Sequence, residues 1–217
     1  MNILKIAYLI IPPFIWKVGK KYYWKYKSKI YLQEGRPFVA AETTKAKSRR
    51  MREGFYDKYV QGKGLDIGYG GDKLVDNEDI WDFEHGDAQF LNGVEDNKYN
   101  FVYSSHTLEH MVDAEDAIKN WFRVVKPGGY LLLYIPHRDL YEKKKTLPSR
   151  FNKDHKHFFL PYNDEAPDTI GIETLIKRAL KNYEIIYIKE CNEGFESVSP
   201  EKHGKGEFSI EAVIRKI

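Results

Sequence analysis

A short apolar run, Gly64-Leu65-Asp66-Ile67, leads directly into Gly68-Tyr69-Gly70-Gly71, and this junction limits the folds open to the chain more than any other feature. Gly68 and Gly70 can adopt backbone angles closed to other residues, and without side chains they let a ligand approach the main chain. In open α/β sheets such a turn lies beyond the carboxyl end of a strand, where ligands bind. The downstream sequence agrees with an α/β alternation. Ile80-Trp81-Asp82-Phe83 reads as a second strand and Phe101-Val102-Tyr103 as a buried one. Ala114 to Val125 has helical spacing, with Ala117, Ile118, Trp121, Phe122 and Val125 on one face. Lys126-Pro127-Gly128-Gly129 stops that helix, and Tyr130 to Ile135 is continuously apolar, as expected of a central strand covered on both faces. Thr169 to Leu180 reads as a further helix, and Tyr183–Ile188 and Phe208–Ile214 as a closing antiparallel pair. A chain of 217 residues holds one such domain with a short appendage.

The ligand of the turn follows from what the turn lacks. A dinucleotide fingerprint needs a third glycine at the sixth position from Gly68, and that position is Lys73. No Gly-Lys-Ser/Thr follows at the spacing of a phosphate loop either. Asp66 stands before the first glycine, where a carboxylate would repel a pyrophosphate and favour a ligand carrying an ammonium. S-adenosylmethionine has an ammonium and a sulfonium and no phosphate.

Leu65-Asp66-Ile67-Gly68-Tyr69-Gly70-Gly71 resembles the first motif of the class I S-adenosylmethionine-dependent methyltransferases. Ser104-Ser105-His106-Thr107-Leu108-Glu109-His110, followed by Arg123-Val124-Val125-Lys126-Pro127-Gly128-Gly129, resembles their type 11 branch. The resemblance covers about residues 60–137 and extends loosely to the closing strands. It implies a Rossmann-like sheet, mostly parallel with the last strand antiparallel, flanked by helices. It also implies that Asp66, Gly68 and Gly70 contact the methionine end of the cofactor, and that Asp82 grips the ribose hydroxyls, with Glu84 as the alternative. Asp87 and Ala88 match the position that reads the adenine, and Ser104 lies with His106 below the sulfonium. One departure is plain: only residues 72–81 separate Gly71 from Asp82, too few for the full helix the family places there.

Methyl transfer is a direct displacement that needs alignment, and a hydroxyl acceptor also benefits from a base. The histidines expected near the reacting atoms are His106 by position, His155 by its neighbour Asp154, and His137 at the end of the central strand. His155 and His157 on one loop would make a poor cage, so no metal is expected.

The remaining expectations concern the flanks. Residues 1–60 read as a basic, aromatic, helical extension of a domain spanning 61–217, and 137–168 reads as a polar lid over the substrate. Lys17, Lys20, Lys21, Lys25, Lys27 and Lys29 are interleaved with Trp and Tyr, and Arg49, Arg50 and Arg52 continue the basic character. Such a front suits the surface of an anionic membrane, or else a helix packed on the domain with its lysines in solvent; the chain reads as cytoplasmic, and in the first case as peripheral at the inner membrane face. Cys191 is the only cysteine, which suits a reducing compartment. The expected acceptor is a sugar, a glycan or another small or lipid-linked molecule. RNA methylation is the alternative, although no Asn/Asp-Pro-Pro-Tyr/Phe stands after strand four. A non-catalytic cofactor-binding module is the other.

Overall fold

The computed structural model describes residues 42–197 and 199–217. The lysine-aromatic segment lies outside the described residues. Two short helices come first, α1 (Glu42–Arg52) and α2 (Phe55–Tyr59), separated at Gly54, whose φ is +66°. The strands β1 (Gly64–Ile67), β2 (Asp79–Trp81) and β3 (Tyr99–Ser105) follow, then helix α3 (Ala114–Arg123) and strand β4 (Val125–Pro136). A small pair, β5 (Phe158–Leu160) and β6 (Thr169–Gly171), precedes α4 (Ile172–Ala179), β7 (Tyr183–Cys191) and β8 (Ser209–Lys216).

The main sheet has the order β2-β1-β3-β4-β8-β7. Its first four strands are parallel, and β8 runs antiparallel to both β4 and β7. This is the expected mostly parallel sheet with an antiparallel last strand. The apolar runs that look continuous in sequence divide between two faces. Leu131, Leu133 and Ile135 of β4 pack with Trp121 of α3 and Leu175 of α4, whereas Leu132 and Tyr134 pack with Ala46 of α1 and Phe55 of α2. Helix α3 starts where Asp113 accepts hydrogen bonds from the backbone N–H groups of Glu115 and Asp116, a cap worth about 1 kcal/mol. The Lys126-Pro127-Gly128-Gly129 stop lies within β4, which pairs Val125 with Tyr99 and resumes at Tyr130 opposite Phe101.

Three expectations are corrected here. Residues 42–59 belong to the same compact unit as the sheet, so 60/61 is not a structural boundary. Arg49 and Arg50 are not part of a basic surface; they are buried beneath α1. Arg49 donates to Glu207 Oε2 at 2.8 Å and to Glu211 Oε1 at 3.0 Å, and Arg50 to Glu211 Oε2 at 2.6 Å and to the Tyr103 hydroxyl at 3.0 Å. Tyr134 and Tyr187 donate to the same two carboxylates. The charges of Arg49 and Arg50 are thus consumed in fastening α1 to β8 and the residues just before it, whereas Arg52 stays exposed. Thirdly, residues 137–168, read as a polar lid, have a core of their own: one wide helical turn (Arg138–Glu142) and strand β5, which pairs with β6 just beyond them, give them order, with Arg138, Glu142, Ser149 and His155 buried. Among the described residues, no helix is long and apolar enough to cross a membrane.

Candidate active site

The turn after β1 is built as its glycines require. Gly68 has a φ of +71° and Gly70 of +56°. A Cβ on Gly68 would stand 2.2 Å from Thr107 Oγ1, so the absence of a side chain lets the turn after β3 lie directly on the turn after β1. Thr107 closes this contact by donating to the Ile67 carbonyl at 3.3 Å, and Ser104 donates to the same carbonyl at 3.1 Å. Ser104 therefore braces β1 against β3, with its hydroxyl already engaged.

Asp66 is fully buried and accepts from the Leu74 N–H at 3.3 Å, while Glu78 accepts from the same N–H at 2.9 Å. Burial, reinforced by Glu78 nearby, raises the Asp66 carboxyl well above its ordinary range. The raised carboxyl is hydrogen-bonded to the Glu78 side chain, so the two acids form a buried pair under the glycine turn. Asp66 thus supports the turn from below, where the sequence suggests direct contact with the ligand. Asp72 ties the turn to α1 by accepting from both the backbone and the hydroxyl of Thr44.

Asp82 follows β2 and is half-buried, and its Oδ2 accepts from the Gly70 N–H at 3.3 Å. Glu84 is exposed and has no such contact with the turn, so the structure separates two acids that the sequence leaves as alternatives. No helix fills the short crossover from Gly68 to Glu78. A cleft of about 480 Å³ opens along β2 and reaches this end of the strand at Trp81 and His85. Asp87 is exposed and accepts from the Gln89 N–H at 2.9 Å; the Ala88 carbonyl accepts from the indole of Trp121.

A second group of side chains occupies the next stretch of the same sheet edge. His106 leaves β3 with a φ of +48°, a left-handed conformation unusual for a residue with a side chain. Its Nε2 lies 2.9 Å from Ser209 Oγ, at the start of β8. One helical turn follows, Leu108–His110, and it places His106, Glu109 and His110 at helical neighbour spacing. His155 enters from the 137–168 segment, fixed where the Lys156 N–H donates to the Glu109 carbonyl at 2.7 Å. Its Nδ1 is 2.6 Å from Glu142 Oε1. The acid beside His155 in sequence is not its partner, because Asp154 turns to His110 Nδ1 at 3.2 Å instead. That contact holds the Asp154 carboxyl down at about 2, and it raises His110 against the effect of burial. Burial, with His155 close by, pulls His106 well below its ordinary value. Glu109 is fully buried at the centre, and neither of its carboxylate oxygens has a hydrogen-bond partner.

His137 is not brought into this group. Its Nε2 lies 3.1 Å from Glu190 Oε2 of β7 and its Nδ1 accepts from the Asp139 N–H, so its ring braces the end of the sheet. Sequence reasoning missed Glu109, Glu142 and Ser209. The spacing His106-x-x-Glu109-His110 was a usable signal for the first; the other two are joined only by the fold.

The family model described as "Methyltransferase domain" matches residues 63–133, the stretch that holds both turns. The segment belongs to that family. The methyltransferase domain takes S-adenosylmethionine, and the residues present fit it: Asp82 offers a half-exposed carboxylate beside the glycine turn, suited to a vicinal diol, and the space over Gly71 is open. No curated protein matches the chain. Among solved structures it is similar to a SAM-dependent methyltransferase of Thermotoga maritima, at 15% identity over 93% of this chain and 100% of that one, with a TM-score of 0.49. It is also similar to a SAM-dependent methyltransferase of Methanosarcina mazei, at 16% identity over 75% and 97%, with a TM-score of 0.45.

Proposed function

We propose that this methyltransferase domain methylates a hydroxyl oxygen, on a sugar, a glycan or another small or lipid-linked acceptor. The observation that carries the reading is the close packing of Thr107 on Gly68, which sets the His106–His110 turn directly against the cofactor turn. S-adenosylmethionine supplies the methyl group already activated on its sulfonium. The protein's residues then have two tasks, alignment and removal of a proton. Gly68 to Gly71 and Asp82 hold the donor. As the acceptor oxygen gains its bond to the methyl group, its proton leaves toward the imidazoles of the neighbouring turn. An amine with a free lone pair needs no such group, so the concentration of imidazoles and carboxylates favours oxygen.

A sugar-like acceptor is supported by the rings beside His106. Tyr141 lies 6.0 Å and Phe208 5.9 Å from the His106 ring, and Tyr141 packs on Phe151 and His203. Phe151 is half-buried and His203 exposed, a wall suited to the apolar face of a saturated ring. The basic, aromatic residues 1–30 support a lipid-linked acceptor met at an anionic membrane surface, and flotation with liposomes, with and without these residues, tests that part. The reaction is tested by labelled methyl transfer into fractionated extract, followed by identification of the labelled atom. Label on a glycan or lipid-linked hydroxyl supports the reading; label on RNA or on nitrogen overturns it.

A further inference from the structure

The three histidines around Glu109 are oriented alike. Each ties its outer nitrogen to the protein and turns its inner nitrogen toward one carboxylate oxygen. His155 Nδ1 is bonded to Glu142 while its Nε2 lies 3.8 Å from Glu109 Oε1. His110 Nδ1 is bonded to Asp154 while its Nε2 lies 3.8 Å from the same oxygen. His106 Nε2 meets Ser209, and its Nδ1 lies 3.9 Å from that oxygen. A direct hydrogen bond between an imidazole and a carboxylate would close to about 2.7–2.9 Å, and none of these does. Glu142 and Asp154, as ionised carboxylates, can only accept, so the outer nitrogens of His155 and His110 carry N–H. In the neutral ring that leaves a lone pair on each inner nitrogen, facing the lone pairs of Glu109. Lone pairs converging on a buried carboxylate without a partner repel one another unless a cation lies between them.

We propose that Glu109, His110 and His155 bind one divalent first-row transition-metal ion, with His106 beside them. The donor atoms of Glu109, His110 and His155 lie within 4.8 Å of one another. Neighbouring ligands of an ion with bonds of about 2.1 Å stand roughly 3–3.5 Å apart, so inward movements of less than about 1 Å complete the site. Imidazole donors favour zinc, manganese, iron or cobalt over magnesium and calcium, which prefer oxygen throughout. The outer carboxylates Glu142 and Asp154 match the carboxylate–histidine–metal arrangement that fixes a ligand's tautomer and raises its basicity. Three protein donors leave positions open. In the reading of the site as an O-methyltransferase, on which this role rests, an acceptor hydroxyl coordinated there passes its proton to His106 more readily and presents its oxygen to the donor turn.

The test uses the full chain without an affinity tag, stripped with chelator and dialysed. Titration with Co2+ is followed by visible absorption, and titration with Zn2+ and Mn2+ by calorimetry, all without S-adenosylmethionine. One ion per chain is expected. Binding should weaken at least a hundredfold in Glu109→Gln and His155→Ala, and about 10–100-fold in Asp154→Asn, whose side chain is exposed and whose loss leaves the fold intact. His203→Ala, beside the site but outside the donor set, should bind as the unaltered chain does. Absence of saturable binding by all three ions, or undiminished binding in folded Glu109→Gln and Asp154→Asn, overturns the metal site. A parallel titration with S-adenosylhomocysteine keeps the two readings apart. Its binding to a chain that takes no metal overturns only the ion, whereas metal uptake by a chain that does not bind it overturns only the methyl-transfer role.

Discussion

Two groups of buried acids stand in different relations to the charges around them. Beneath α1, Glu207 and Glu211 meet two guanidiniums and two phenols, with Arg50 Nε 2.6 Å from Glu211 Oε2. At the carboxyl edge of the sheet, Glu109 is as deeply buried, yet three imidazole nitrogens stop at 3.8–3.9 Å from it. The first group is closed by the chain itself and acts in holding α1 to β8. The second leaves its central carboxylate unbonded, and burying such a group without a partner costs stability that folding alone does not require. The difference marks scaffold and site without reference to any homologue.

The comparison breaks most readily at Glu211. Replacing it with alanine takes from the buried Arg50 its carboxylate partner, while Arg49 keeps Glu207, and a loss of about 3–5 kcal/mol is expected in urea denaturation. A loss below about 1 kcal/mol would remove the distinction. Acid tests the same group with a defined sign. Burial alone would raise the Glu211 carboxyl, but Arg50 and Arg49 override it and hold it at about 2, against an ordinary 4.5. Its folded value is depressed, so its contribution is fully present above the unfolded value and is lost as pH falls toward the folded one. That contribution, on the order of 3 kcal/mol, should vanish between about pH 5 and pH 2. Asp66 and Glu78, whose carboxyls are raised by burial, contribute with the opposite sign. The difference between the unaltered chain and Glu211→Gln, followed from neutral pH to about pH 3, isolates the Glu211 share.

On the site side the effects should appear in binding and leave stability nearly unchanged. Asp82→Ala removes a half-exposed carboxylate whose hydrogen bonds to a ribose diol are worth about 1.5–3 kcal/mol, so S-adenosylhomocysteine affinity should fall roughly tenfold to a hundredfold. Calorimetry checks this, and unchanged affinity would return the ribose role to Glu84. The smallest change is expected at Glu109. In the presence of chelator, Glu109→Gln should lower stability by less than about 1 kcal/mol, or raise it, because no hydrogen bond to its carboxylate is lost and a buried unpaired charge is removed. A loss matching that of Glu211→Ala would make Glu109 part of the scaffold.

The sheet and the donor turn are legible in the sequence because their signals are local. The Asp66-to-Gly71 junction, the apolar run of β4 and the helical face Ala117-Ile118-Trp121-Phe122 each state their structure within a few residues. For Asp66, sequence shows that an acid precedes the glycines but not that Leu74 and Glu78 enclose it. Arg49 and Arg50 are misread because their carboxylate partners, Glu207 just before β8 and Glu211 on it, lie more than 150 residues away. Sequence pairs His155 with the acid next to it, and the fold gives it Glu142. In each case the partner of a polar or charged side chain is chosen by the fold, because such pairing carries no periodicity that a sequence could display.

The reversed direction of β8 has a consequence of its own. In a parallel strand the last residues reach the reactive rim, and the chain beyond them must cross back over the sheet. Strand β8 arrives at that rim with its first residues, so Phe208 and Ser209 enter it straight from the connection 192–208. That connection returns to the neighbouring strand, and ahead of Glu207, which Arg49 and Tyr134 hold, its length and composition can change without any shift in the register of the sheet. Among relatives with the same donor turn, this hairpin is where new acceptor preferences can arise at the least risk to folding.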